Sequence, residues 1–116
     1  MTEQPIVLVL ADDLIWATRL HDAVVAAGGQ SRRARKLDGL ETAGATHAIV
    51  DLTALAYDGV AAVRRVAATG ARVVAVGQHD DAAVRKAALE AGAERVFTYR
   101  ALFEDGPRSI ARWLET

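Results

Sequence analysis

The chain has 116 residues, 52% of them hydrophobic and 25% charged, with 14 basic side chains, 15 acidic ones and no cysteine. This length belongs to one domain that hides roughly two-thirds of its unfolded surface, and the composition excludes disordered and collagen-like chains. A net charge of −1 offers no global field to a polyanion, and without cysteine there is no disulfide framework, zinc ribbon or thiol nucleophile.

The longest apolar run, Ile6 to Ala11, is too short to span a bilayer, and the opening MTEQP lacks the basic start and long apolar core of a signal peptide. The expected location is the reducing cytoplasm, with no membrane contact. Ile6-Val7-Leu8-Val9-Leu10 is a continuous β-favouring run, the mark of a strand buried on both faces. A first helix follows from about Leu14 to Ala27, with Trp16, Leu20, Ala23, Val24 and Ala27 on one stripe and Gly28-Gly29 as its stop. Gln30 to Leu37 reads as an outer strand, and Asp38 to Ala43 leaves room for a short second helix. Arg32, Arg33, Arg35 and Lys36 give that strand the charges of a solvated edge; with no aromatic interleaved, nucleic acid is not the expected partner.

Ala48-Ile49-Val50 and Val73 to Val76 repeat the buried-strand pattern, and Arg95 to Tyr99 is a shorter, more polar fifth strand. Between them lie a helix over about Asp58 to Thr69, with Val60, Val63, Val66 and Ala67 inward, and one that begins after Asp80 or Asp81. The latter buries Val84, Ala87, Ala88 and Ala91 and stops at Gly92. The last helix is expected from Pro107, with Ile110, Trp113 and Leu114 turned inward. Five alternations of strand and helix predict an α/β fold: a parallel sheet with right-handed crossovers, helices on both faces and a functional crevice at the carboxyl ends of the strands.

Asp12 and Asp13 follow the first strand and Asp51 ends the third, so this topology brings three carboxylates to one edge. Gathered carboxylates suit a hard cation such as Mg²⁺ and the phosphate oxygens it accompanies; equally, aspartates at these places cap loops and helix starts. Gly59 stands eight residues after Asp51, in Tyr57-Asp58-Gly59, and Ala91-Gly92-Ala93 precedes the fifth strand. On these residues the whole chain resembles the receiver domains of bacterial two-component response regulators. The resemblance implies a flavodoxin-like (βα)5 three-layer sandwich with strand order 2-1-3-4-5. It implies a phosphoacceptor at Asp51 and Mg²⁺ at Asp12, Asp13 and Asp51. The acidic pair matches as Asp12-Asp13; the alternative register, counted back from Gly28, would shift the pair by one and place Ala11 at its first position.

The departures from the family pattern bear on function. The hydroxyl residue that ends strand four in receivers is Gly77 here, followed by Gln78 where a small residue is usual. The family's lysine at the end of strand five is replaced by Tyr99, with Arg100 next to it, and the aromatic switch position reads as Val96. Leu55 stands where the loop after the acceptor has a proline. Losing the cation leaves phosphate charge uncompensated, and losing the hydroxyl uncouples that charge from the remote face. The expected function is therefore a pseudo-receiver: a non-enzymatic signalling module that binds a protein partner or a second copy through the fourth helix, fifth strand and fifth helix. The alternative is a phosphorylatable single-domain regulator that takes phosphoryl on Asp51, with Mg²⁺, from a histidine kinase.

Tyr99, Phe103 and Arg95 are the candidate interface residues on that face. His21, His47 and His79 share no metal-ligand spacing, and neither a Gly-x-Gly-x-x-Gly, a Walker lysine motif nor a Gly-x-Ser-x-Gly elbow occurs.

Overall fold

The apolar runs of the sequence become the strands of one parallel sheet. A computed structural model describes residues 4–78 and 80–115. Its strands are β1 (Ile6–Leu10), β2 (Gln30–Ala34), β3 (His47–Asp51), β4 (Arg72–Gly77) and β5 (Ala93–Thr98), in the order β2-β1-β3-β4-β5, as the sequence implied. Alternate residues feed two cores. Leu8, Leu10, Ala48, Val50, Val73 and Ala75 face one layer, and Val7, Val9, Ile49, Val74, Val76 and Phe97 face the other.

Four helices cover these faces among the described residues: α1 (Leu14–Ala26), α2 (Gly59–Ala67), α3 (Ala82–Ala91) and α4 (Tyr99–Glu115). Helix α1 lies beside α4 and buries Ala17, Leu20 and Val24. On the opposite face α2 lies beside α3 and buries Ala62, Val63 and Val66. Asp13, Asp58 and Asp81 cap α1, α2 and α3 with their side chains, each accepting from the backbone N–H three residues on. Ile110 and Trp113 anchor α4; burying each contributes about 1.5–3 kcal/mol. No helix among the described residues is long and apolar enough to cross a membrane.

Three expectations are corrected. The second helix, placed at Asp38 to Ala43, does not form: the chain turns through Gly39 and Gly44, both at positive φ, and carries no apolar stripe to hold a helix on the sheet. Strand β2 accordingly stops at Ala34 rather than Leu37. The last helix starts at Tyr99, not Pro107, because the Thr98 hydroxyl accepts from the Ala101 N–H and opens it early. It breaks at Asp105, where the backbone leaves helical geometry, and Pro107 stands in the first turn of its second segment. Tyr99 is thus a helical residue and β5 ends at Thr98.

Candidate functional site

The carboxyl ends of β1, β3 and β4 converge with the start of α4 on one cavity of about 360 Å³. Asp12, Asp13, Trp16, Asp51, Thr53, Gln78 and Tyr99 are among the residues that line it. Asp51 is 1% exposed. Its Oδ1 accepts the Thr53 backbone N–H at 2.9 Å and the Thr53 hydroxyl at 2.8 Å, and the Tyr99 hydroxyl donates to the same oxygen over a very short contact. The Thr53 and Tyr99 hydroxyls also touch each other. Each has one proton, so with both donated to Asp51 the contact between the two hydroxyls has no proton of its own.

Tyr99 is half-buried, its ring 4.3 Å from that of Trp16 between centroids. Burial, and then the hydrogen bond to Asp51, push its phenol pKa upward, so it stays a neutral donor. The carboxylate is held by neutral donors at the place where the family pattern puts a lysine. Arg100 is turned away from the cavity lining; its guanidinium pairs with Glu104 at 3.0 Å on the exposed side of α4.

The acidic pair is engaged locally. Asp12 Oδ2 accepts the backbone N–H groups of Leu55 at 2.8 Å and Ala56 at 2.9 Å, pinning the loop between β3 and α2. The Ala56 N–H in particular holds the Asp12 carboxyl below its ordinary value. Asp13 caps α1 through the Trp16 N–H at 3.0 Å. Ala11 is buried in the core on the α1 side. The three carboxylates line one cavity, yet among the described residues no group of three His, Asp or Glu side chains is placed to hold a metal ion. As arranged, these residues do not fit a three-carboxylate Mg²⁺ site.

Gly77 ends β4 beside Leu52. A Cβ at Gly77 would stand 3.3 Å from Leu52 Cδ1, so a side chain there would need the tip of that leucine to give by a few tenths of an ångström. Val96 is buried on the α2 and α3 side. The Tyr57-Asp58-Gly59 motif has a geometric cause. The Tyr57 hydroxyl shares its one proton between the carbonyls of Leu10 at 2.8 Å and Asp51 at 2.9 Å, bridging β1 and β3. A Cβ at Gly59 would lie 2.7 Å from Leu52 Cα, so only glycine allows that approach of backbone to backbone.

Of the interface candidates, Phe103 is 66% exposed on α4, Arg95 lies 4.8 Å over the buried ring of Phe97, and Tyr99 is turned to Asp51. His21 and His47 sit on α1 and β3; His79 lies outside the described residues. The sequence reading missed Thr53 and Trp16 as site residues. Thr53 had a local signal, since a threonine two residues after an aspartate readily closes a turn onto the carboxylate. Trp16 had none, because its place on the inward stripe of α1 says nothing about which partner it meets.

No family sequence model and no curated protein matches the chain by sequence. Solved structures do match. The BeF3-activated DrrB receiver domain is 18% identical, with a TM-score of 0.82 over 98% of this chain and all of the other. The signal receiver domain of a DNA-binding response regulator (merR) from Colwellia psychrerythraea 34H is 20% identical, with a TM-score of 0.80 over 97% of this chain and 100% of its own. A response regulator from Thermotoga maritima is 14% identical, with a TM-score of 0.79 over 98% and 100%. This chain has the fold of the response regulator receiver domains.

Proposed function

We propose that the chain is a pseudo-receiver: one receiver-like domain over residues 1–116, cytoplasmic and non-catalytic, that signals by binding a protein without needing aspartyl phosphate. The carrying observation is the Tyr99 hydroxyl on Asp51 Oδ1, where a phosphorylatable receiver needs a cation free to meet the incoming phosphoryl group. Gly77 supplies no hydroxyl to follow that group, and a side chain there would press on the tip of Leu52. The partner face in this reading is α3, β5 and α4, with Arg95 at its rim; exposed Phe103 stands instead on the α1 side of α4, with the Arg19 guanidinium 4.8 Å over its ring, and is not its anchor. The occupant of that face is a protein partner or a second copy of the chain.

One observation favours the alternative, phosphoryl transfer from a histidine kinase to Asp51. Among the described residues all the hydrogen bonds on Asp51 fall on Oδ1 and none falls on Oδ2. The test is incubation with acetyl phosphate and Mg²⁺, followed by intact mass and amide NMR. The expected result is no covalent adduct and no shifts at Val96 or Phe97. Stoichiometric modification of Asp51, with shifts reaching β5, would overturn the proposal in favour of a working receiver.

A further inference from the structure

The absence of the second helix leaves a cavity of about 610 Å³ against β1 and β2, remote in function from the Asp51 cavity although Asp12 touches both. We infer that this cavity binds a nucleotide-sized organic polyphosphate, with the phosphates on Arg35 and Lys36 and the ring on the apolar floor. A volume of this size lies within the common range for small-molecule sites. Ala34, Leu40 and Ala56 supply the accessible apolar lining over the fully buried Leu8, which pairs with Arg32 across the parallel ladder on the same face of the sheet.

The charges are arranged for an anion. Arg32, Arg33, Arg35 and Lys36 all line the cavity, and among the described residues none of the four has a carboxylate ion-pair partner. Two of them have structural work. The Arg32 guanidinium donates to the carbonyls of Glu41 at 3.1 Å and Ala43 at 2.7 Å, holding the loop after β2 as the far wall, and Arg33 reaches Thr18 on α1 at 3.3 Å. Among the described residues Arg35 makes only a long contact of 3.5 Å to the Asp12 carbonyl, and Lys36 is exposed with no hydrogen bond of its own. The acids around the cavity answer this charge only in part: Arg35 attracts the Asp12 carboxylate through space without forming an ion pair with it. Asp12 is committed to the Leu55 and Ala56 amides, Glu41 accepts the Ala43 N–H at 3.2 Å, and Asp38 stands alone on the exposed turn.

A polyphosphate chain matches two unpaired cations on adjacent residues, and a planar ring suits an aliphatic floor bordered by guanidinium groups. A concave site with a wall pinned by Arg32 favours a compact ligand over a polymer lying along a flat strand.

The test titrates magnesium-free ATP, tripolyphosphate and adenosine into the full chain, followed by amide NMR, with Arg35→Gln, Lys36→Gln and the remote Arg85→Gln as variants. Their folding is checked by thermal melts. ATP is expected to bind more tightly than either fragment and to shift amides of Leu8 and residues 32–41. Affinity should fall about tenfold or more in Arg35→Gln and in Lys36→Gln, and stay unchanged in Arg85→Gln. No saturation at millimolar ATP, either fragment binding as tightly as ATP, binding that survives both substitutions, or shifts centred on Asp51 and Tyr99 would each overturn the inference.

Discussion

Replacing Tyr99 by phenylalanine keeps the ring against Trp16 and removes only the hydroxyl that donates to Asp51. A hydrogen bond to a charged group is worth about 1.5–3 kcal/mol. Here Asp51 retains the Thr53 N–H and hydroxyl, and water in the adjoining cavity can take part of the vacated place. The expected loss is therefore at the lower end, about 1–2 kcal/mol, or a fall in Tm of roughly 4–8 °C for a domain of this size. A double-mutant cycle with Asp51→Ala isolates the pair. Urea unfolding of wild type, both single variants and the double variant, followed by far-ultraviolet circular dichroism with constant m-values, gives the interaction energy. A coupling of about 1 kcal/mol is expected. Losses that add to within about 0.5 kcal/mol would show that the phenol does not hold the carboxylate, and the observation that carries the pseudo-receiver proposal would fall with it.

Gly59→Ala should cost about 1–3 kcal/mol in the same unfolding assay, because its Cβ would press on the Leu52 backbone at 2.7 Å; an unchanged midpoint would refute the contact. Asp12→Ala should speed hydrogen exchange at the Leu55 and Ala56 amides while leaving the core strands protected, and uniform protection across the chain would show that the loop is held by something else. His47 is buried against Trp113, with Arg72 and Glu94 near it, and burial first of all holds its pKa below 6.5. The unfolded chain then takes up the proton first as pH falls, so stability is full above about pH 6.5 and declines below it; His47→Gln should flatten that decline between about pH 6.5 and 5.

The central strands were legible because both faces of the sheet are covered. Val7 to Leu10 and Val73 to Val76 are buried at every position, and a strand with no solvent side has no polar residue to interrupt its run. The cap aspartates were legible for a local reason, since Asp13, Asp58 and Asp81 act within one turn of themselves. The second helix failed because its slot was inferred from alternation rather than from an apolar stripe. Residues 38–46 fold instead around two glycines at positive φ, with Arg32 from the edge strand bonding the loop carbonyls. The early start of α4 escaped notice because its first segment buries Leu102 and little else, while Pro107 and the residues after it carry the inward stripe.

The site was legible only in its carboxylates. Reading β5 through to Tyr99 treats Tyr99 and Arg100 as strand neighbours, which would send them to opposite faces of the sheet. Thr98 ends the strand by capping a helix, and from that point successive side chains turn about 100° rather than 180°. Tyr99, at the first helical position, is delivered onto Asp51, while Arg100 is carried outward to Glu104. The one cation beside the family's lysine position is thereby removed from the carboxylate, and a neutral phenol takes its place. In the proposed pseudo-receiver reading, restoring a cation at position 99 would not by itself rebuild a phosphate site. Gly77 would still offer no hydroxyl, and Asp12 Oδ2 would still be bonded to the loop amides. The departures at Gly77 and Tyr99, widely separated in sequence, thus meet at one cavity edge and act in the same direction.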